Sequence, residues 1–453
     1  MESIVNALTI AIFGLCLVFP IFHIGNALLV LRKKPYYLED KGNISEKSLG
    51  ILVPCFNEES IMKTTISGID SLNYKNYEYV LINDGSTDHT FEMMEELLEL
   101  RIEKIKPDSS LEFAPVKGVY RSKKNPRILV IDKVNGGKAD ALNAGIAYAS
   151  SELVITLDAD SILDEKALST INRAFEDPDL IAAGGNVHVL QGRKFKNGVL
   201  KPTLSVKSIV KFQIVEYLRG FYIYKASLAR SNALSIISGA FGVFKRDVLL
   251  NVGGYRRTVG EDIDITLKVQ NYKSKKSGLK VAFIPEAICY TEVPETWKDL
   301  YKQRIRWQKG FIDCVVLYFK DFIKVMFKNP VSFFFILDAL FVGVICSYLT
   351  VIGIGGLLLF NGNISAFIWY IVVYVLVSLL YNITALLISY YYENTFGIKD
   401  FLNILLVIFL DIVFYRFITL YCTLFGTIQY FRNQGEWNKV ARTGREYNIE
   451  QAG

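Results

Sequence analysis

Residues 50–88 read GILVPCFNEESIMKTTISGIDSLNYKNYEYVLINDGSTD and decide the fold of this part of the chain. Two short apolar runs, 50–53 and 77–82, flank a stretch with helical periodicity at 58–71. Each apolar run passes directly into polar residues that are typical of turns and helix caps. This order predicts a β-α-β unit whose two strands are parallel.

The same alternation continues downstream. Residues 128–131 and 153–157 are predicted strands, whereas 87–100 and 138–149 are predicted helices that begin near a polar cap or turn residue. The segment 107–126 is predicted to be a polar insertion or loop. The pattern indicates an α/β domain with a doubly wound, mostly parallel sheet that binds ligands at the carboxyl ends of its strands.

Composition indicates that part of the chain lies in a membrane. Of 453 residues, 51% are hydrophobic, and the mean hydropathy is +0.27. Residues 4–31 form an apolar run long enough to cross about 30 Å of hydrocarbon, and Arg32, Lys33 and Lys34 follow it. The basic cluster follows the apolar run, the wrong flank for a signal peptide, so we expect a retained anchor with the next segment in the cytoplasm.

Three further apolar runs, 331–360, 367–390 and 401–431, predict membrane helices, but the basic tail after residue 431 favours a cytoplasmic C-terminus. Three simple crossings would put that tail outside, so 401–431 is interpreted as a hairpin or a partly interfacial segment. Residues 204–224 and 297–323 fit either amphipathic surface helices or ordinary domain helices. The predicted organisation is therefore an anchor (1–34), a cytoplasmic domain (35–295), interfacial helices (296–328), channel helices (329–431) and a tail (432–453).

Charge and residue counts exclude several classes of site. The formal net charge of +6 is modest for this length, so nucleic acid is not an expected partner. The six cysteines contain no CxxC pair, and only three histidines exist. A bound metal ion is therefore expected to be hard and held by carboxylates.

Polar residues at the ends of the first strands predict a nucleotide site. Pro54, Phe56 and Glu58 follow the first strand, and Asp84 follows the second. Phe56 could stack on a base, and Asp84 could accept hydrogen bonds from base or ribose. Lys138 follows two glycines at a helix N-terminus, which suits phosphate contact, although the spacing is not that of a P-loop.

Four carboxylates farther along the chain carry the predicted chemistry. Asp158 and Asp160 follow the fourth strand, and a Mg²⁺ or Mn²⁺ ion between them would relieve their repulsion. The alternative is a pair of solvated loop aspartates. Asp262, next to Glu261, is the candidate base that deprotonates an acceptor hydroxyl.

A cluster on a predicted helix near residue 305 offers contacts for a sugar. Trp307 could stack on a sugar face, and Gln303 and Arg306 lie about one helical turn apart, so they could face the same ligand. In isolation this cluster would more often be an amphipathic surface with a buried aromatic residue.

Taken in order, these motifs resemble the series found in processive family 2 glycosyltransferases, a group that contains cellulose, chitin, hyaluronan, mixed-linkage β-glucan and poly-N-acetylglucosamine synthases. The resemblance spans about residues 50–310 and implies a GT-A-like cytoplasmic domain combined with transmembrane and interfacial helices. The matching motifs are Pro54-x-x-Asn57-Glu58, Asp84-Gly85-Ser86, Lys138-Ala139-x-Ala141-Leu142-Asn143, Asp158-x-Asp160, Ser238-Gly239-Ala240-Phe241-Gly242, Glu261-Asp262 and Gln303-x-x-Arg306-Trp307.

The resemblance also implies residue roles. Asp84 would bind uridine, Asp160 would help to hold the metal, and Asp262 would be the base. The residues implied at the acceptor end are Gln303, Arg306 and Trp307 beside the diphosphate, and Ser238, Gly239, Ala240 and Phe241 at the acceptor terminus. The chain has Gly260 where the family commonly has threonine, and no recognisable cyclic-dinucleotide receptor domain follows its last apolar run.

A segment of the tail is similar in position to the loop that closes over the nucleotide in cellulose synthases. Its Trp437, Lys439, Arg442 and Thr443 could cover the donor diphosphate. A basic tail held by anionic lipid is the alternative.

The function that these motifs predict is polymerisation of a β-linked polysaccharide from a UDP-hexose, with translocation of the product across the plasma membrane. The donor is UDP-glucose, giving a β-glucan, or UDP-N-acetylglucosamine. Expected partners are the UDP-sugar, the growing polysaccharide, the lipid bilayer and accessory export or modification proteins. The alternatives are transfer of one sugar to a lipid carrier and an inactive sugar-nucleotide-binding assembly subunit.

Overall fold

The chain forms two compact units in the computed structural model, which describes residues 2–31, 45–70, 72–108, 111–196, 199–349, 364–392 and 396–432. The helical unit comprises Met1–Lys33, Lys201–Leu234 and Pro294–Val440. The sheet unit comprises Lys34–Leu200, Ser235–Val293 and Ala441–Gly453. The predicted continuous domain 35–295 is thus interrupted, because residues 201–234 belong to the helical unit.

The sheet unit is built on ten strands and carries helices between them. The strands, with a separate β9–β10 pair, are β1 (Leu49–Cys55), β2 (Tyr77–Asn83), β3 (Leu100–Ile102), β4 (Val116–Ser122), β5 (Ile128–Lys133), β6 (Leu153–Leu157), β7 (Ser161–Leu163), β8 (Leu180–Val189), β9 (Arg193–Lys196), β10 (Val199–Pro202), β11 (Phe241–Lys245) and β12 (Lys280–Thr291). The helices are α2 (Met62–Asp70), α3 (Thr90–Leu98), α4 (Lys138–Tyr148), α5 (Ala167–Ala174), α8 (Arg246–Asn251) and α9 (Glu261–Ser274).

The strand order is β3-β4-β5-β2-β1-β6-β11-β8-β12-β7. The central strands β5, β2, β1 and β6 are parallel to one another, and nearly every residue in them is buried. Apolar runs without alternation produce strands of this kind, which are covered on both faces. The predicted α/β fold with parallel strands is confirmed, and the carboxyl ends of these strands lie along one edge of the sheet.

The flanks of the sheet differ from the prediction. For the segment 107–126, interpreted as a polar insertion or loop, the loop alternative is wrong in the second half, because β4 pairs antiparallel with β5 there. The strand sequence VKGVYRS contains two cations and a glycine, and most of its residues are partly exposed. A strand without a continuous apolar run or strict alternation gives little hydrophobic signal, which explains the error.

Among the described residues of the helical unit, three helices are long and apolar enough to cross a membrane, and they span Pro330–Leu349, Ile368–Tyr392 and Lys399–Arg432. Its N-terminal helix α1 covers Glu2–Val30, in agreement with the predicted apolar run. The remaining helices of this unit are α6 (Ser208–Arg219), α7 (Ala226–Arg230), α10 (Trp297–Val325), α11 (Pro330–Phe333), α12 (Ile364–Tyr392), α13 (Ile398–Leu410) and α14 (Arg416–Arg432), with π-helical segments at Gly220–Lys225, Phe334–Ile345 and Asp411–Tyr415.

The last apolar segment does not fold as a hairpin, so that alternative is wrong. Lys399–Arg432 runs as one helix with a π-helical turn at Asp411–Tyr415. Two charged residues, Asp411 and Arg416, lie inside this apolar segment, and both are neutralised within the unit. Asp411 forms ion pairs with Arg219 of α6 and, at 3.5 Å, with Arg416 of its own helix. A paired charge can stay inside an apolar helix without breaking it.

Gly185 of β8 lies where the sheet has no room for a larger residue. A Cβ atom on Gly185 of β8 would lie 2.1 Å from the ring of Phe241 and 3.0 Å from the carbonyl oxygen of Ala287. Phe241 is fully buried on β11. We expect Gly185→Ala to lower the free energy of unfolding by about 1–3 kcal/mol, because a packed core resists added volume.

Chemical or thermal unfolding of the detergent-solubilised protein measures this effect. The matched control is Gly68→Ala in α2, where the nearest atom to the new Cβ is 3.7 Å away. Alanine favours a helix interior by about 1 kcal/mol over glycine, so this variant should be no less stable than the wild type. Equal stability of the two variants would contradict the packing argument.

Candidate active site

The loops after β1 and β2 are tied to each other by hydrogen bonds. The backbone N–H of Thr87 donates to the side-chain oxygen of Asn57 at 2.7 Å, and the N–H of Glu58 donates to the hydroxyl of Thr90 at 2.7 Å. Asn57 has a left-handed backbone conformation, with φ of 55°, which asparagine tolerates better than most residues. The predicted nucleotide residues Pro54, Phe56 and Glu58 therefore lie on a fixed double loop, with Pro54 and Phe56 partly exposed and Glu58 buried.

Asp84 closes the turn that precedes α4. Its carboxylate accepts hydrogen bonds from the N–H groups of Gly136 at 3.0 Å and Gly137 at 2.7 Å. Gly137 has a φ of 88°, a conformation in which a side chain would be strained. Asp84 thus holds the loop between β5 and α4 in place through these two hydrogen bonds.

Lys133, at the end of β5, is a fully buried cation between two carboxylates. Its Nζ lies 2.6 Å from an oxygen of Asp84 and 2.6 Å from an oxygen of Asp140. Asp140 also accepts from the N–H of Ala114 at 3.0 Å and forms an ion pair with Arg257. Burial alone would raise the pKa of Asp140, but these donors hold it below its usual value. Burial raises the pKa of Asp84 in spite of Lys133.

A second lysine joins two other parts of the chain. The Nζ of Lys138, at the start of α4, lies 2.7 Å from Asp158 after β6 and 3.1 Å from Glu261 at the start of α9. Burial alone would lower the pKa of Lys138, but these two carboxylates raise it well above its usual value. Burial raises the pKa of Glu261, opposed by Lys138. The ammonium of Lys138 is therefore charged. It holds the loop after β6 next to the start of α9.

Asp262 and Gly239 complete this centre. The carboxylate of Asp262 accepts from the N–H of Gly239 at 3.3 Å and from the N–H of Ile263 at 2.9 Å. A Cβ on Gly239 would lie 2.9 Å from the Nζ of Lys138 and 3.5 Å from the Cβ of Asp262. The structure thus brings together Asp158, Lys138, Gly239, Glu261 and Asp262 from four separate motifs.

Asp160 lies two residues from Asp158 and is positioned by hydroxyl groups. Its carboxylate accepts from the hydroxyl of Thr291 at 3.3 Å, and the Thr291 hydroxyl accepts from that of Ser161 at 2.9 Å. Within the described residues, no group of three His, Cys, Asp or Glu side chains could hold a metal ion by itself. The pair Asp158 and Asp160 fits Mg²⁺ or Mn²⁺, because such an ion commonly takes one or two carboxylates and completes its shell with phosphates and water.

The segment Ser238–Phe241 divides into two parts. Ser238, Gly239 and Ala240 are partly exposed. Phe241 is fully buried on β11 and fills the space beside Gly185. The expectation that the Phe241 side chain borders the acceptor does not fit this burial. Its ring packs in the sheet, which leaves the other three residues as candidates.

The helical unit carries the remaining predicted residues. Gln303, Arg306 and Trp307 lie in the first half of α10. Trp307 is 43% exposed, so the alternative of an amphipathic surface with a buried aromatic residue is wrong for this side chain. The guanidinium carbon of Arg304 lies 4.1 Å from the centre of the Trp307 ring. The tail residues Trp437, Lys439, Arg442 and Thr443 lie outside the described residues.

Comparison with known proteins identifies the family. The model described as Glycosyl transferase family group 2 matches residues 153–385, just over half of the chain, and that described as Glycosyl transferase family 2 matches residues 50–253. The chain belongs to glycosyl transferase family group 2. The matches contain both parts of the carboxylate centre, from Asp84 to Asp262, and the predicted glycosyltransferase family is confirmed.

Curated relatives of this family 2 glycosyltransferase include two staphylococcal enzymes. The poly-beta-1,6-N-acetyl-D-glucosamine synthase of Staphylococcus epidermidis is 30% identical over 66% of this chain and 65% of its own length. The synthase of the same name from Staphylococcus aureus (strain COL) is 29% identical over 72% of this chain and 69% of its own length. The chain thus matches about two thirds of the length of these relatives.

A solved structure supports the fold of the glycosyltransferase. The mannosyltransferase PcManGT from Pyrobaculum calidifontis, in complex with GDP-Man and Mn²⁺, matches with a TM-score of 0.54 and 18% sequence identity. The match covers 96% of this chain and 99% of the mannosyltransferase. At this identity the likeness concerns the fold.

Three residues that hold predicted residues in place, two in the sheet unit and one in the helical unit, were missed from the sequence. They are Lys133, Asp140 and Arg304. Each lies inside or beside a motif, at a position that the motif pattern leaves unspecified. A usable signal exists for Lys133 alone, because a cation at the end of an otherwise apolar strand must find a carboxylate when it is buried.

The buried Lys133 yields a testable prediction. Lys133→Met would remove the buried cation that Asp84 and Asp140 share and leave only Arg257 to pair with Asp140, and we expect the free energy of unfolding to fall by about 3–5 kcal/mol. The control is Lys117→Met on β4, whose ammonium is half exposed and lies 3.6 Å from Asp132. An exposed pair contributes about 0–1 kcal/mol. Denaturant unfolding of both variants measures the difference, and similar losses would refute the structural role of Lys133.

Proposed function

We propose that this protein is a processive inverting glycosyltransferase that polymerises a β-linked polysaccharide from a UDP-hexose. UDP-N-acetylglucosamine is the favoured donor, because the two staphylococcal relatives are named as synthases of poly-β-1,6-N-acetylglucosamine. The observation that carries the proposal is the ion pairing of Lys138 with Asp158 and Glu261, next to Asp262. A lysine ammonium beside these carboxylates supports the proposal, because a cation favours binding of a diphosphate and a carboxylate can accept the proton of an acceptor hydroxyl.

The nucleotide would bind along the loops after β1, β2 and β5. Phe56 offers a partly exposed ring for the base. Asp84 is only 2% exposed, and it would act on the nucleotide by holding the Gly136–Gly137 turn. Lys138 follows that turn and supplies a charged group for the diphosphate.

Asp158 and Asp160 would hold a divalent ion. When bound, Mg²⁺ or Mn²⁺ supplies a counter-charge for the diphosphate as it leaves. Lys138 pairs with Asp158, and the hydroxyl of Thr291, itself held by Ser161, donates to Asp160, so both carboxylates are oriented before an ion binds. Asp158 and Asp160 could then bind one cation between them without first reorienting.

Asp262 would act as the base. Its carboxylate is partly exposed and is oriented by the N–H groups of Gly239 and Ile263. It would accept the proton of the acceptor hydroxyl as that oxygen attacks the anomeric carbon and UDP departs from the opposite face, which inverts the anomeric configuration. Glu261 is buried and paired with Lys138, so it positions the lysine instead of moving the proton.

The helical unit would receive the product. Gln303, Arg306 and Trp307 are proposed to contact the acceptor, and the three apolar helices to cross the membrane and translocate the polymer. The sheet unit would then lie in the cytoplasm, where the UDP-sugar is available. Closure of the tail over the diphosphate by Trp437, Lys439, Arg442 and Thr443 remains part of this proposal.

Product length tests the proposal directly. Purified protein in lipid nanodiscs is incubated with radiolabelled UDP-N-acetylglucosamine or UDP-glucose and a divalent cation, and the products are separated by size. We expect long polymer from the first donor, degraded by a hydrolase specific for β-1,6-linked N-acetylglucosamine. Transfer of one sugar to lipid, or donor binding without transfer, would refute processive synthesis.

The proposed base is tested separately. We expect Asp262→Asn to lower kcat by about 100- to 10,000-fold, because proton transfer in the transition state is lost, with donor affinity within about twofold of the wild type. Asp247→Asn, an exposed carboxylate in the first turn of α8, is the control and should retain full activity. Undiminished turnover by Asp262→Asn would remove this residue from the mechanism.

A further inference from the structure

Arg304 lies between the proposed acceptor residues in the sequence, and its side chain contacts two of them directly. Its side chain is 7% exposed. One terminal nitrogen donates to the side-chain oxygen of Gln303 at 2.7 Å, and the guanidinium carbon lies 4.1 Å from the centre of the Trp307 ring. One guanidinium therefore touches two of the three side chains proposed to contact the acceptor.

The other terminal nitrogen of Arg304 is anchored on a different helix. It donates to the carboxylate of Glu216 on α6 at 2.7 Å. The same carboxylate oxygen accepts from the hydroxyl of Tyr415 at 2.9 Å, and the Tyr415 ring stacks on Phe212 with centroids 5.0 Å apart. Tyr415 lies in the π-helical turn of the third apolar helix. The position of Arg304 is thus set from outside its own helix.

The pattern of bonds shows what the guanidinium is placed for. The Nε of Arg304 is buried and has no hydrogen-bond partner among the described residues. Buried donors are nearly always paired, so an unpaired one in a native structure calls for an explanation. Here the face of the guanidinium lies over an indole ring that is itself 43% exposed, so the arrangement orients an accessible aromatic surface.

We propose that Arg304 is a positioning residue that presets Gln303 and Trp307 for the acceptor sugar, and that Glu216 holds it in place. The inference rests on the proposed function, in which Gln303 and Trp307 contact the acceptor. A planar guanidinium can stack on the indole and donate in two directions at once, whereas an ammonium cannot. Lysine at this position would keep the charge opposite Glu216 and lose the stacking.

The experiment compares four variants in the full-length protein in nanodiscs. Arg304→Lys keeps the charge, Arg304→Met removes it, and Glu216→Gln weakens the anchor. The matched control is Lys302→Met, which removes a cation from the same helix whose partner, Asp299 at 3.6 Å, lies one turn away on that helix. The donor is UDP-N-acetylglucosamine, and the acceptor is a β-1,6-linked N-acetylglucosamine tetrasaccharide.

Two readouts separate positioning from stability. The first is the KM for the tetrasaccharide, measured against the KM for the donor. The second is the ¹⁹F resonance of Trp307 in protein labelled with 5-fluorotryptophan, assigned by its loss in Trp307→Phe. This resonance reports the environment of the ring and needs no activity. The other three tryptophans of the chain serve as internal references.

For Arg304→Lys we expect the Trp307 resonance to move and the acceptor KM to rise about tenfold, with the donor KM and the unfolding temperature little changed, because stacking and one hydrogen bond are lost. Glu216→Gln should raise the acceptor KM by a smaller factor, about threefold, because it keeps one neutral acceptor. Arg304→Met should show the largest effect, and Lys302→Met should match the wild type in both readouts.

A folded Arg304→Lys protein with an unmoved Trp307 resonance, or with an acceptor KM within twofold of the wild type, overturns the proposal. If Arg304→Met does not fold, Arg304→Lys and Glu216→Gln decide by the same criteria. A wild type that transfers no sugar to the tetrasaccharide refutes the proposed function instead. In that case the resonance still decides whether Arg304 positions Trp307, since an unmoved signal excludes it.

Discussion

Two lysine ammonium groups, one fully buried and one partly exposed, hold the site of the sheet unit together. They flank the Gly136–Gly137 turn, one at the end of β5 and the other at the start of α4. A buried carboxylate without a counter-charge is strongly unfavourable, so each lysine determines where two acidic loops can lie. Lys133 binds Asp84 and Asp140, and Lys138 binds Asp158 and Glu261. Four stretches of chain that are far apart in sequence therefore end at one place.

This arrangement leaves the site short of positive charge. Six carboxylates meet in this site, whereas the cations described with them are Lys133, Lys138 and Arg257. The carboxylates are those of Asp84, Asp140, Asp158, Asp160, Glu261 and Asp262, so they outnumber these cations. A sugar diphosphate brings further negative charge, and like charges at such distances repel. A divalent cation shared by the diphosphate and the Asp158–Asp160 pair resolves the conflict. The proposed metal dependence thus follows from the charge balance of the chain's own residues as well as from the motif.

The sequence predicted those parts of the fold whose signals are local. The four central strands follow from unbroken apolar runs, and the carboxylates at their ends follow from the topology of a parallel sheet. The strand Val116–Ser122 was missed because its pairing with β5 depends on tertiary context, and its own residues give no clear period. Phe241 was assigned to the acceptor although its ring fills the space left by Gly185, a complementarity between two distant residues that neither segment reveals by itself. Likewise, no pattern identifies which carboxylate will face a buried lysine or arginine.

Charged side chains that pair across long distances in the sequence also explain why residues 201–234 belong to the helical unit. Residues 201–234 interrupt the sheet unit in sequence, yet α6 within this segment carries the counter-charges of two other helices. Glu216 pairs with Arg304 of α10, and Arg219 pairs with Asp411 in the third apolar helix. Because an unpaired charge inside an apolar helical unit is costly, these two pairs fix α6 among the helices. Hydrophobic periodicity alone could not show whether α6 packs among the helices or on the sheet. The residues that decide it, Glu216 and Arg219, are charged and do not contribute to an apolar pattern. If Trp307 receives a growing polymer, the same pairing places its support in the helices that are proposed to carry that polymer away.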